Sequence, residues 1–595
     1  MSVPDGPRRF LAAVLLAIAA GALLRGAWLT ADPPTHTSVG IVWHDEGAWV
    51  HNARNRALWG TWRTDQWNPV FVSPVFTALE YASFVTFGVG TWQARVVPLV
   101  SGLLAVAALA AGLASIAGRR AAIGGACLLA TNYVFVMWNR AALMESTMTL
   151  FLVASWAAYA GAARRPAWGL AAGTFTTLAW FSKAAAAFFV AALVLETAAT
   201  LTLARSATVR RRLGVAPPTD AAVSAARATL AGLAISAGLI VAVFVLPHWT
   251  EYRFYNWQMS VTRKPSYAIG ALIDRASWLP IAQDFFTRMW LALVAAVLAT
   301  GAIAARWRTA LPAERLLVLW FLVGLLELVV HDAGNERRYV MFIPALVGLA
   351  AILVGSPQWL QGVATGRRRW LALPLAIPLA YLVVGSIVRL AFLPEVRAGD
   401  FRLSVRVSAL AAAVAGTLIL WQWGPIARWL SRQAIPARGA AVLVALVVVG
   451  DLGQYSQWAG RRTDFNYRAS IEVGRLLPPG TWVHGKLANG LALENRIRPV
   501  FVGRGFGNYE DRQTRDDVRY VLTYTSPYVG YEGRVIRDVL DAYPSRAIVT
   551  TFRVAETAAG SDRAALVDKF GALDAWSEQP AVSRERRRIG AHAPD

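Results

Sequence analysis

Ionisable side chains are sparse in this chain, and the places where they gather are where chemistry would be done. The densest is Trp43-His44-Asp45-Glu46-Gly47, two adjacent carboxylates among aromatics just beyond the first apolar run. A carboxylate held there could act as a general base on a hydroxyl. It could as readily be a solvated acidic turn. Ser182-Lys183 interrupts a long apolar run, and a lysine so placed either binds an anion or snorkels to an interface. Arg140 and Glu145 share a short gap, where the pair reads as an ion bridge. Arg263 and Lys264 lie in an aromatic loop, and Arg337-Arg338 precede another apolar run. Arg337 and Arg338 could balance Asp332 and Glu336. His44, His51 and His331 leave room for a divalent metal beside Asp45, although His44 and His51 lack a compact ligand spacing. Cys127 is alone, which excludes an intrachain disulfide and the cysteine-rich zinc patterns.

The elements that must hold these groups follow from composition. Of 595 residues, 56% are hydrophobic and 16% charged, against about 25% charged in soluble domains. Mean hydropathy is +0.42. These figures exclude a disordered chain and a string of soluble domains. The formal net charge of +23 would point to nucleic acid in a soluble protein. Here the arginines cluster in alternate gaps between apolar runs, which is the positive-inside pattern, with membrane lipids and not nucleic acid as the partner.

Taking about 20 apolar residues per span, thirteen candidates lie near 9–29, 95–117, 121–138, 143–163, 166–181, 184–204, 228–247, 288–305, 315–332, 338–355, 371–393, 405–423 and 438–457. With Arg8 and Arg9 in the cytoplasm, the gaps holding Arg119-Arg120, Arg164-Arg165, Arg210-Arg211-Arg212, Arg306 and Arg308, Arg367-Arg368-Arg369, and Arg428 with Arg432 all fall inside. The expected protein is a multi-pass α-helical plasma (inner) membrane protein, N-terminus cytoplasmic. Residues 1–457 form the membrane domain, and 458–595 a small extracytoplasmic α/β domain. The run 166–204 would make one helix about 58 Å long, nearly twice the hydrocarbon core, so it must break at Ser182-Lys183. Loop 30–94 contains an apolar stretch, Phe71 to Gly88, read as an interfacial helix because of Pro74 and Glu80. Beyond 458, strands are expected at Thr481–His484, Pro499–Val502, Arg519–Tyr524 and Ala547–Val554. Helices are expected at Tyr467–Leu477, Gly533–Ala542 and Arg563–Phe570. Gly503 to Asn508 is glycine-rich but lacks the third glycine and the helix of a dinucleotide site, and reads as a loop.

Taken in order, these features resemble the GT-C superfamily of polyprenyl-phosphate-dependent glycosyltransferases, in the branch of protein O-mannosyltransferases and lipid A aminoarabinose transferases. The resemblance is carried by Arg25 before the loop, Asp45-Glu46 within it, and Trp92-Gln93-Ala94-Arg95-Val96-Val97-Pro98 opening the second span. Arg140 to Glu145 resembles the family's second acidic site, and Gly169 to Lys183 its glycine-rich helix ending in lysine. Arg338-Tyr339-Val340 with Pro344 resembles its arginine-tyrosine helix start. It covers about residues 9–355. The chain departs from the family in having Asn68-Pro69 and Ser73-Pro74 where a lysine often neighbours the prolines of the first loop.

The resemblance implies transfer of a sugar from a polyprenyl-phosphate carrier to an acceptor hydroxyl on a glycan, lipid or protein. Asp45 would be the base, with Glu46 beside it, and the anomeric centre would invert. Lys183 and Arg338, with Arg263 or Lys264, would hold the donor phosphate. Glu145, Arg140 and Tyr339 would support the site, and Trp43 and Trp49 would contact sugar. No particular cofactor is implied, and a divalent metal at His44, His51 or His331 stays open. Two rival readings share the same spans: a flippase of lipid-linked sugars, which calls for internally repeated, interrupted helices not seen here, and a non-catalytic envelope-glycan assembly protein.

Overall fold

The computed structural model describes residues 6–34, 43–262, 269–274, 277–278, 286–331, 336–355, 377, 380–381, 383–385, 401–432, 437–503, 508, 514–525, 540–555 and 562–571. The expected span 371–393 lies largely outside them. So do Arg263, Lys264, Asp332, most of the Gly503–Asn508 loop, most of the Gly533–Ala542 helix, and the side chains of Trp43 and His44.

Among the described residues up to about 460, the apolar runs form helices. Among the described residues, six helical stretches are long and apolar enough to cross a membrane: Pro7–Gly26, Thr91–Ile116, Ala184–Arg205, Asp220–Val245, Arg406–Pro425 and Gly439–Leu476. The chain is a multi-pass membrane protein. Other expected spans are helical but shorter or interrupted. Gly118–Thr131 ends at Asn132, whose side chain accepts from the Phe135 amide and starts a second short helix, Tyr133–Trp138. Met144–Ala162, Ala167–Ser182, Pro312–His331 and Ile343–Gly355 complete the packed set. Ala167–Ser182 crosses Asp220–Ile240 through Gly173 and Gly232. A Cβ on either would strike the other helix's backbone, so only glycine permits the approach.

The break in the run 166–204 falls at Lys183, which is extended (φ −162°, ψ 126°) between the helix ending at Ser182 and a 3₁₀ turn, Ala184–Ala186. The Ser73 hydroxyl donates to the Ser182 carbonyl at 2.5 Å and ties loop 30–94 to this break. The apolar stretch of that loop is a 14-residue helix, Pro74–Phe87, too short to span.

The C-terminal part carries a five-stranded sheet of order β2-β1-β3-β5-β4, built from β1 Trp482–His484, β2 Arg498–Val500, β3 Tyr520–Tyr524, β4 Ala547–Val554 and β5 Asp562–Asp568. β1 pairs parallel with β2 and β3, whereas β5 pairs antiparallel with β3 and β4. The helix expected at Arg563–Phe570 is therefore corrected to a strand. Ala564 and Leu566 enter the core on one face of the sheet, and Ala565 and Val567 the core on the other. A strand buried on both faces reads as a continuous apolar run, which periodicity cannot tell from a helix. The expected helix at Tyr467–Leu477 is present as Phe465–Leu476, and a short helix, Lys486–Gly490, follows β1.

Candidate functional site

Asp45 lies in the first turn of the Trp43–Trp49 helix. Its Oδ2 accepts from Arg337 Nη1 at 3.1 Å, and its Oδ1 lies 3.2 Å from Lys486 Nζ. Glu145 opens the Met144–Ala162 helix. Its Oε1 lies 2.5 Å from Lys183 Nζ and 3.0 Å from Arg337 Nε. Arg337 thus joins the two acidic sites. The result is a line of alternating charge, Lys486–Asp45–Arg337–Glu145–Lys183, with each residue on a different element. Asp45 and Lys183 keep 16% and 12% of their side-chain surface open, so the line is largely dry yet reachable. Among the described residues this line holds three cations and two carboxylates, a balance that suits an anion. Burial brings the Lys183 ammonium down to about 8 against the opposing pull of Glu145, with the Arg337 and Arg338 cations pushing the same way as burial.

Other expected site residues have different surroundings. Glu46 is buried and held by Arg95, Nε to Oε1 at 2.8 Å and Nη2 to Oε2 at 2.6 Å, and it also accepts from the Ala142 amide. Arg95 in turn donates to the carbonyls of Leu29 and Ala31. Glu46 therefore fixes the helix that presents Asp45, and the acidic pair divides into one carboxylate for structure and one for the site.

Arg140 does not bridge to Glu145, contrary to expectation. It donates to the carbonyls of Leu24, Arg25, Ala27 and Trp28 at 2.6–3.0 Å and stacks on Trp458. A helix end leaves carbonyls without partners and carries partial negative charge, and Arg140 answers both at the end of Pro7–Gly26.

Arg338 is buried. Its Nη1 lies 3.2 Å from Glu327 Oε1 and 2.8 Å from His331 Nδ1, which is itself 2.8 Å from Glu327. Tyr339 is buried on the same 3₁₀ turn, Glu336–Met341.

Trp49 is buried and packed edge-on against Trp67 at 5.5 Å. His51 is also buried, with Nε2 3.0 Å from Asp65 and Nδ1 3.0 Å from the Asn489 amide. Its place is between loop and C-terminal segment, bridging Asp65 and Asn489. Among the described residues no three His, Cys, Asp or Glu side chains gather as a metal site.

The C-terminal domain is held against the loop by buried polar contacts. Arg54 donates to the carbonyls of Ala492, Asn495 and Ile497, and burial lowers its guanidinium to about 9. Asp65 accepts from the Phe501 amide. Asp32 accepts from the Thr463 hydroxyl and the Phe465 and Asn466 amides, capping Phe465–Leu476, and burial pushes its carboxyl up to about 6.

Sequence reasoning left Arg337 as a charge-balancing residue and passed over Lys486. One signal was present. Lysine occurs only four times in the chain, at 183, 264, 486 and 569, among 59 basic residues. Where arginine is the default cation, a compact ammonium marks a position with its own demand.

Residues 71–216 match the family model described as dolichyl-phosphate-mannose-protein mannosyltransferase. That segment includes Glu145 and Lys183. Solved structures similar to this chain include ArnT from Cupriavidus metallidurans bound to undecaprenyl phosphate, at 17% identity over 95% of this chain and 98% of that one, TM-score 0.47. They also include the archaeal oligosaccharyltransferase AglB from Archaeoglobus fulgidus in complex with an inhibitory peptide and a dolichol-phosphate, at 13% identity over 91% of this chain and 73% of that one, TM-score 0.44. No curated protein sequence matches the chain significantly.

Proposed function

We propose that this chain is a glycosyltransferase that moves a sugar from a polyprenyl monophosphate to an acceptor hydroxyl on the extracytoplasmic side of the membrane. On the reading of thirteen crossings with the N-terminus inside, residues 458–595 lie outside and Asp45, Lys183 and Lys486 fall on that side. The observation that carries the reading is the joining of Asp45 and Glu145 through Arg337, with Lys183 at the far end. The family match over residues 71–216 supports it.

In this reading Asp45 takes the proton of the acceptor hydroxyl as that oxygen attacks the anomeric carbon. The bond from the anomeric carbon to the phosphate oxygen breaks, and polyprenyl phosphate leaves with the electron pair. Displacement from the opposite face inverts the centre. Charge grows on the leaving phosphate, and fixed cations in a mostly dry site act on it far more strongly than water would. Lys183 and Arg337 are the residues placed to do so, with Arg338 behind them. Glu145 holds both Lys183 and Arg337 in position. The acceptor is a glycan, lipid or protein hydroxyl.

The test uses the purified protein in lipid, a panel of polyprenyl-phosphate sugars that includes any lipid co-purifying with it, and a lysate-derived acceptor fraction. Free polyprenyl phosphate is measured. Asp45→Asn is expected to lower release by about 10²–10⁴-fold, the range for a lost general base. Equal release by the variant, or no release from any donor by folded wild type, would overturn the reading.

A further inference from the structure

We propose that Lys486, on the C-terminal domain, is the third cation of the donor-phosphate site: it pairs with Asp45 while the site is empty and passes to the phosphate when donor binds. This rests on the transferase reading above.

The first argument is charge. Among the described residues of this line, Lys183, Arg337 and Lys486 supply three positive charges, and Asp45 and Glu145 one negative charge each. A polyprenyl phosphosugar is a phosphodiester with one negative charge, so its arrival brings the set to neutrality. In the reaction the acceptor's proton goes to Asp45, which becomes neutral, and the leaving phosphate gains a second negative charge. Three cations then face Glu145 and a doubly charged phosphate, and the set is neutral again. Without Lys486 the line has one positive charge fewer to set against the phosphate in a largely dry place, where that is costly.

The second argument is geometry. Lys486 Nζ lies 3.2 Å from Oδ1 of the Asp45 carboxylate. An ammonium on a flexible stem can swing by such distances, whereas the guanidinium of Arg337 is shared between Asp45 and Glu145.

The third is placement. The Lys486–Gly490 helix is seated against the Asp45 helix. Gly47 meets the Asn489 backbone, Asn489 bonds His51, and Arg54 binds three carbonyls just beyond. Thr91 N donates to Glu494 Oε1 at 2.6 Å on the same side. The domain therefore does not hang free of the site. It carries one of the site's charges on a surface fixed at several points.

The test is binding of polyprenyl monophosphate itself, which needs no base, compared in wild type and in Asp45→Asn, with inorganic phosphate and vesicles lacking the polyprenyl lipid as controls. Lys486→Met is expected to weaken polyprenyl phosphate about 10- to 100-fold in both backgrounds, the loss of one charged hydrogen bond. Lys486→Arg is expected to remain within a few-fold. Lys486→Gln serves as the second neutral variant where Lys486→Met folds poorly. In turnover, Lys486→Met should raise the donor KM and lower kcat. A lysine that only orients Asp45 would leave product affinity unchanged, above all in Asp45→Asn. Wild-type affinity in Lys486→Met and Lys486→Gln overturns the proposal while donor turnover by wild type keeps the transferase reading. Absence of binding and turnover in wild type overturns the transferase reading itself.

Discussion

A single methyl group tests whether the Asp45 helix and the C-terminal domain work as one unit. Gly47 follows Asp45 by two residues and faces the backbone of Asn489. A Cβ on Gly47 would lie 2.5 Å from the Asn489 carbonyl carbon and closer still to its oxygen. Restoring van der Waals contact requires the two helices to part by about 1 Å or more. Lys486 stands one turn before Asn489, so the parting carries its ammonium from 3.2 Å toward the limit of an ion pair and stretches the 3.0 Å bond from Asn489 to His51. Over-packing of this kind costs about 1–3 kcal/mol, which leaves most proteins folded. Misplacing reacting groups by about 1 Å can cost on the order of 10²-fold in rate. Gly47→Ala is therefore expected to purify as a folded protein with kcat/KM for donor lowered about 100-fold. Two readings are needed: release of polyprenyl phosphate, and hydrogen exchange across residues 486–495. Faster exchange with wild-type activity would refute the coupling of this domain to the chemistry. Unchanged exchange would refute the packing argument.

Three further outcomes concern buried charged and titratable groups elsewhere in the chain. Glu80 is fully buried on the Pro74–Phe87 helix, neither oxygen has a hydrogen-bond partner among the described residues, and burial holds its carboxyl well above the usual range, the Glu46 carboxylate adding to this. The folded state thus keeps a proton that the unfolded chain releases, and this penalty grows as pH rises above about 4.5. Glu80→Met should stabilise by about 1–3 kcal/mol at pH 7.5 and by less at pH 5, read from denaturation midpoints; equal effects at both pH values would contradict the assignment. Arg140→Met removes a donor from four carbonyls, of which that of Trp28 keeps the Ala31 amide, and is expected to destabilise by about 1–3 kcal/mol, with faster exchange at the end of Pro7–Gly26; a variant as stable as wild type would show that water caps that end equally well. His484 is buried at the end of β1 against Lys569, 3.0 Å away, and burial together with the Lys569 and Arg515 cations lowers its imidazole to about 3. Between pH 6.5 and 3 the unfolded chain therefore binds the extra proton. The C-terminal sheet should lose about 1.4 kcal/mol per pH unit as pH falls through this window, and His484→Asn should flatten the slope of its exchange-derived stability.

The sequence by itself determined the parts that are local. Hydropathy over some twenty residues marks a membrane helix wherever it is packed. The break at Lys183 followed from the run being longer than a bilayer. Four strands of the C-terminal sheet were legible from β-rich composition, and the Asp45-Glu46 pair and Lys183 stood out because charge is rare around them. Only the tertiary structure decided which charges meet. Asp45 and Arg337 are 292 residues apart, and no spacing rule relates them. Asp45 and Glu46 are chemically alike neighbours, yet helical geometry turns one to Arg95 and the other to Arg337 and Lys486. Arg140 lies close to Glu145 in sequence, but the carbonyls at the end of the first helix claim it instead. Lys486 sits in a short helix that no periodicity announces, and it reaches the site only because Arg54, His51 and Gly47 seat its domain there. An ion pair depends on distance in space, while a sequence records distance along the chain, and for long-range pairs such as these the two measures carry almost no information about each other.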